Sequence, residues 1–200
     1  MEQTGCGASR IVGCRFSLYP MSDRFVEIIM GVLEKVDRSK VWMSTDDIST
    51  CIRGKAEHVF DVAKAVYIQT AVSELHVVWN GTFSIGCPGD SEGDVYLSED
   101  EERMNEAGLR QHSVETACQF ALYPLGNPDY MKIIYDQIER AKARGTFSGG
   151  VHYASRLDGD AHEVFASLEE SFVNASKLAS HVTMTAVLSA NSPSRKPDRV

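Results

Sequence analysis

The chain repeats itself. Cys14-Arg-Phe-Ser-Leu-Tyr-Pro20 returns as Cys118-Gln-Phe-Ala-Leu-Tyr-Pro124, five of seven residues identical at a spacing of 104. One inserted residue moves the spacing to 105, which then holds without a gap from Phe25/Tyr130 to Pro88/Pro193. That stretch contains eleven identities in 64 pairs, against about four expected from average composition. They include Ile28-Ile29 against Ile133-Ile134 and His76-Val77 against His181-Val182. Gly54-Lys-Ala-Glu-His-Val-Phe60 likewise matches Gly159-Asp-Ala-His-Glu-Val-Phe165. A duplication of this kind confines the fold to two copies of one supersecondary unit.

Each copy has the same pattern. An alternating strand covers about Arg10–Tyr19, echoed by Ala117–Tyr123. Ser22-Asp23 then offers side-chain oxygens for a helix N-cap. Phe25, Ile28, Ile29, Val32, Leu33 and Val36 follow at helical spacing, repeated as Tyr130, Ile133, Ile134, Ile138 and Ala141. Extended segments are expected at 41–43 and 48–54, with partners at 146–148 and 152–158. A second helix carries Val59, Phe60, Ala63, Val66 and Tyr67, matched by Val164, Phe165, Leu168 and Phe172. A last strand spans His76–Ile85 and His181–Ser189. Strand–helix–strand–strand–helix–strand is the split βαβ plan. The expected class is α+β: a tandem duplication of a ferredoxin-like βαββαβ domain, its antiparallel sheets carrying helices on one face only.

The expected boundaries are 9–88 and 114–193 for the repeats, 89–113 for an acidic linker and 194–200 for a loosely held, basic tail. Ser98-Glu-Asp-Glu101 reads as a capping box, which predicts a short solvated helix in the linker. In the last strand of the first repeat, Val77, Trp79, Phe83 and Ile85 alternate with His76, Val78, Asn80, Thr82 and Ser84. The first set is expected to face the helices and the second an open sheet face. Those open faces would be covered in a homodimer or by the two halves packing back to back.

Charge and cysteines narrow the function. With 20 Lys+Arg against 28 Asp+Glu, the net charge is −8, the wrong sign for a broad phosphate-binding surface, so nucleic acid is not expected. No stretch has the run of about 18 apolar residues that a membrane span needs. The opening Met1-Glu2-Gln3-Thr4-Gly5-Cys6 lacks a basic start and an apolar core, so no secretory signal is expected. Five cysteines, an odd number with no Cys-x-x-Cys pair, fit free thiols in a reducing cytoplasm.

No Gly-rich phosphate loop, nucleophile elbow or His-Glu-x-x-His occurs, and no cofactor or metal is expected. Asp158-Gly-Asp160-Ala-His162 has metal-like spacing, yet the first repeat has Arg53-Gly-Lys55-Ala-Glu57 there, and Asp160 stands where a helix cap belongs. His76 and His181 lack a neighbouring nucleophile or acid and read as structural; Cys87-Pro88-Gly89 reads as a turn. More suggestive are aromatic and hydroxyl residues around the open face. In the first repeat these are Ser17, Tyr19, Trp42, Ser49, Thr50 and Asn80; in the second, Ala121, Tyr123, Phe147, Ser155 and Thr185. A flat heteroaromatic ligand needs an aromatic wall and a few fixed donors and acceptors; packing between sheets is the other reading of the same residues. Alternation places Ser49 on the open face and Thr50 inward, unless a bulge reverses them.

Several segments resemble the YkoF family: Arg15-Phe-Ser-Leu-Tyr-Pro20, Gly81-Thr-Phe-Ser-Ile-Gly-Cys-Pro-Gly-Asp90, Gly150-Val-His-Tyr-Ala-Ser155, Leu157-Asp-Gly-Asp-Ala-His162 and Leu188-Ser-Ala-Asn-Ser-Pro-Ser-Arg-Lys196. The likeness runs from about Ser9 to Lys196. It implies two ACT-like domains in tandem, a cytoplasmic homodimer, and one pyrimidine site per domain for thiamine and its hydroxymethylpyrimidine moiety. It also implies a part in thiamine-precursor uptake or salvage beside a transporter, with no established catalysis. The strand-one and hairpin positions carried over are Ser17 with Ser49 and Thr50, and Ala121 with Ser155. Two other readings stand beside it: an ACT-type regulatory module for another small metabolite, and an enzyme on the same scaffold, which would need a perturbed His or Cys in the pocket.

Overall fold

The computed structural model describes residues 11–86 and 97–194; the Cys87 turn and residues 195–200 of the tail lie outside them. The first repeat runs β1 (Val12–Pro20), α1 (Phe25–Lys35), β2 (Trp42–Thr45), β3 (Thr50–Gly54), α2 (Ala56–Ala71) and β4 (Val77–Ile85). After α3 (Glu106–Leu109), the second runs β5 (Glu115–Leu125), α4 (Tyr130–Arg144), β6 (Phe147–Val151), β7 (Ala154–Asp160), α5 (Ala161–Ser176) and β8 (His181–Ala190). This is the duplicated α+β, ferredoxin-like plan. Among the described residues no helix is long and apolar enough to cross a membrane.

The eight strands form one antiparallel sheet, ordered β2-β3-β1-β4-β8-β5-β7-β6. β4 and β8 pair along their length, from Val77↔Ala190 to Ile85↔Val182. The repeats therefore lie side by side, and back-to-back packing of the two halves does not occur. Pairing the last strands removes two sheet edges that would otherwise invite association. It leaves one broad face to the helices and the other open. Alternation assigns them: Cys14, Phe16, Val77, Trp79, Phe83, Cys118, Phe120, Met184 and Leu188 are buried, while Arg15, Tyr19, Asn80, Gln119, Tyr123, Thr185 and Val187 are exposed.

The core is continuous across the seam. Phe60 stacks on Phe83 at 4.2 Å and meets Phe172 of the second repeat at 5.9 Å. Tyr67 lies 5.8 Å from Phe165, and its hydroxyl donates to Thr116 Oγ1 at 3.2 Å. Burial pushes the thiols of Cys14 and Cys118 well above their ordinary pKa, so both are inert apolar side chains.

The described part of the linker is a strap over α2. Lys40 Nζ donates to Asp100 at 2.7 Å, Asn105 donates to Asp61 through its side chain at 2.8 Å, Lys64 pairs with Glu106, and Arg103 reaches Glu169 of α5 at 2.6 Å. The hydrogen bond from Lys40 and that from Ser98 (2.6 Å) hold the Asp100 carboxyl well below the usual range. This departs from the expected capping box: the Ser98 hydroxyl serves Asp100, and the helix of this segment, α3, forms later and buries Leu109. α1 likewise starts at Phe25 with Arg24 as its N-cap, Ser22 Oγ accepting from Arg24 N at 3.2 Å. Asp160 does cap α5, accepting from His162 N at 2.9 Å. Asp158 is clamped by Arg156 at 2.7 and 2.8 Å, so the metal-like string is occupied by capping and ion pairing.

Candidate functional site

Strand lengths open a notch in each half of the sheet. β1 pairs with β3 only to Phe16↔Thr50, yet continues along β4 to Pro20↔Val77. β5 pairs with β7 only to Phe120↔Ser155, yet continues along β8 to Leu125↔His181. Past those points the hairpin tips diverge from the strand. The gaps are cavities of about 560 Å³ in the first repeat and 850 Å³ in the second, within the usual range for small-molecule pockets. Each takes consecutive residues of its strand, 16–20 and 120–125. Lining by both strand faces is what a break in the sheet gives, where a site on the sheet surface would use alternate residues.

The first helix of each repeat covers its notch. Phe25, Ile29 and Leu33 line the first cavity; Tyr130, Ile134 and Ile138 take the same positions in the second. These residues form a stripe at i, i+4 and i+8, beside the Val32 and Val36 that point into the core. The apolar face of this helix is thus wider than sheet packing alone requires, and that excess was the sequence signal for the missed lining residues.

The hairpin tips supply polar edges. In the first repeat Asp46 Oδ1 accepts from Ile48 N at 2.9 Å and from Ser49 N at 2.8 Å. Arg15 donates to Ser49 Oγ at 2.8 Å and lies 3.4 Å from Asp46 Oδ2. The two backbone N–H groups, with Arg15 adding to them, hold the Asp46 carboxyl below its ordinary pKa. Ser17 Oγ donates to Ile48 O at 3.0 Å and pins the tip to β1. Thr45 and Thr50 share a hydroxyl hydrogen bond of 3.0 Å. The second hairpin has Ala121 at the position of Ser17 and Gly150 at that of Thr45, so neither link can form there.

Of the residues singled out in the sequence, the structure brings Ser17, Tyr19, Ser49 and Thr50 together around the first cavity and Ala121, Tyr123 and Ser155 around the second. Arg15 on the open face reaches Ser49, while Thr50 shares the parity of buried Ile52. The other four lie outside both cavities. Asn80 pairs with Ser17 and Val187 in mid-sheet, and Thr185 pairs with Ala121 and Thr82. Trp42 sits on β2 opposite Arg53. Phe147 faces Leu157, and a bulge before Gly149 gives it the place of Met43, packed against the core. Its ungapped match to Trp42 is therefore not a spatial one. His76 and His181 hydrogen-bond hydroxyls of the sheet, Ser189 at 3.1 Å and Thr183 at 3.3 Å.

Both cavities are chiefly apolar, with aromatic walls and a strand whose backbone on the notch side has no ladder partner among the described residues past Phe16 or Phe120. A flat ring with donors and acceptors along one edge can stack on such walls and take backbone hydrogen bonds as a short strand would. Among the described residues no Lys or Arg lines either cavity.

The YKOF-related family model matches residues 11–90 and 115–195, one match in each repeat. The chain is also similar to a curated protein of Bacillus subtilis (strain 168) named "Putative HMP/thiamine-binding protein YkoF", at 59% identity over 191 residues covering 96% of each chain.

Proposed function

The chain belongs to the YKOF-related family, and from that premise we propose that it binds thiamine and free hydroxymethylpyrimidine, one molecule in each repeat, without transforming them. The observation that carries this reading is the pair of equivalent notches, each walled by aromatic residues and edged by free strand backbone. The aminopyrimidine is the part held, because its amino group and the adjacent ring nitrogen form a donor–acceptor pair along one edge, which strand backbone can read. Such a protein serves precursor uptake or salvage in the cytoplasm, with a thiamine-precursor transporter as its functional neighbour.

Calorimetry with hydroxymethylpyrimidine, thiamine and thiamine diphosphate tests the reading. Two sites per chain should take the first two ligands with unequal affinity, and the diphosphate should gain nothing over thiamine, since among the described residues no Lys or Arg lines the cavities. A tenfold gain for the diphosphate, about 1.4 kcal/mol, would reveal an anion site and overturn it. Ser17→Ala frees the first hairpin tip and should weaken one site alone, by about 0.5–1.5 kcal/mol or roughly two- to twelvefold. One ligand per chain, or two indistinguishable sites, would refute the reading of two divergent notches.

The open sheet face supports a homodimer. It carries half-exposed Tyr19, Trp42, Tyr123, Leu125 and Val187, and an apolar set on a face without helices is best covered by a second copy. Sedimentation at micromolar concentration should give twice the chain mass; a monomer would remove the proposal.

A further inference from the structure

The two cavities differ most in charge. The first has Asp46 and Asp47 at its rim, while the second has no charged lining residue among those described. By the spacing of 105, Asp47 corresponds to His152, and Ile48 to Tyr153. The second wall is instead rich in tyrosine: Tyr123, Tyr130, Tyr135 and Tyr153.

The two carboxylates of the first rim are not equivalent. Asp46 is committed to the turn, accepting from Ile48 N and Ser49 N, with Arg15 at 3.4 Å from its other oxygen. Asp47 is exposed at the tip, lines the cavity and has no ion pair among the described residues. Among the described residues it is the one negative charge lining the cavity without an ion pair.

We propose that Asp47 is a specificity-determining residue of the first cavity: its carboxylate favours ligands in which the flat pyrimidine carries a second, cationic ring, over the neutral pyrimidine alone. This rests on the pyrimidine-binding reading above. With the pyrimidine in the notch, its substituent must leave through the mouth, where the hairpin tip stands. A thiazolium there meets an unneutralised carboxylate in the first repeat. In the second it meets tyrosine rings, whose attraction for a cation is less sensitive to salt than that of a carboxylate. The divergence of the tips thus gives one chain two sites with different selectivity: the first meets the cation with a salt-sensitive charge, the second with ring faces alone.

The test is calorimetry of the full chain with thiamine and with hydroxymethylpyrimidine, for wild type, Asp47→Asn and Asp47→Glu. Asp47→Asn should weaken thiamine at one site by about two- to fivefold, the range of an exposed ion pair, and leave hydroxymethylpyrimidine unchanged. Asp47→Glu should restore most of the difference. Raising salt from about 10 mM to 300 mM should shrink the thiamine preference of that site in wild type, because the Debye length falls from about 30 Å to below 8 Å. Equal losses for both ligands, or none, would overturn the role of Asp47 and leave pyrimidine binding intact. Failure of wild type to bind either ligand would overturn both.

Discussion

Trp79→Ala is expected to cost about 3–5 kcal/mol of folding free energy, the range for truncating a large buried aromatic residue. Trp79 is fully buried on β4, the strand that joins the repeats. Its ring lies 5.6 Å from Phe16, 5.8 Å from Phe83 and 6.3 Å from Phe165 of the second repeat. Phe16 in turn lines the first cavity. Removing the indole opens a void where the two halves share packing, and the closed neighbours on every side limit collapse into it. Urea unfolding followed by circular dichroism should show a single transition at a lower midpoint for the whole chain, because β4–β8 pairing makes the sheet one cooperative unit. Two separated transitions, or a loss under about 1 kcal/mol, would contradict a shared core. Phe16, left without its stacking partner, should also weaken ligand binding in the first cavity more than in the second.

The second large effect is expected at Gly81, two residues along the same strand. A Cβ there would come 2.3 Å from Trp79 Cη2 and 2.8 Å from two further ring atoms. The indole is enclosed and cannot give way, so Gly81→Ala should cost about 1–3 kcal/mol through overpacking, although Ala normally gains about 0.5–1 kcal/mol over Gly in a strand. The sign should reverse once the ring is gone: added to Trp79→Ala, the same change should be neutral or stabilising. The duplication has already made this exchange. The second repeat carries Met184 and Ala186 at the equivalent positions, and a thioether can bend away where an indole cannot. A double-mutant cycle by denaturant melts measures the coupling. Additive costs would mean that the ring moves aside and that Gly81 is not required by Trp79.

The open-face assignment shows how far local pattern reaches. Val77, Trp79 and Phe83 are buried and Asn80 is exposed because a strand turns alternate side chains to opposite faces, whatever its neighbours do. The same alternation placed Ser49 outward and Thr50 inward, where Arg15 and Thr45 meet them. Asp160 at its cap was legible for a similar reason: a short acidic side chain before an apolar helix has one local use. Ser98 did not follow its motif, because Lys40 drew the neighbouring Asp100 across the chain, a partner 60 residues away. Phe147 escaped its alignment with Trp42 because a one-residue bulge changes which face a side chain takes, and residue spacing cannot register it.

For this chain, sequence by itself determined the duplicated unit, the order of its elements, the two faces of its strands and the likeness of its motifs to one family. Those are properties of local periodicity and of residues near one another in the chain. Only the tertiary structure decided that β4 joins β8, that the two halves share one core, and that the cavities lie in notches under α1 and α4. Each depends on where strand pairing stops. Thr50 ends its pairing with β1 at Phe16 while β4 continues past it, and a gap made by the unequal lengths of two neighbours is written in neither strand alone.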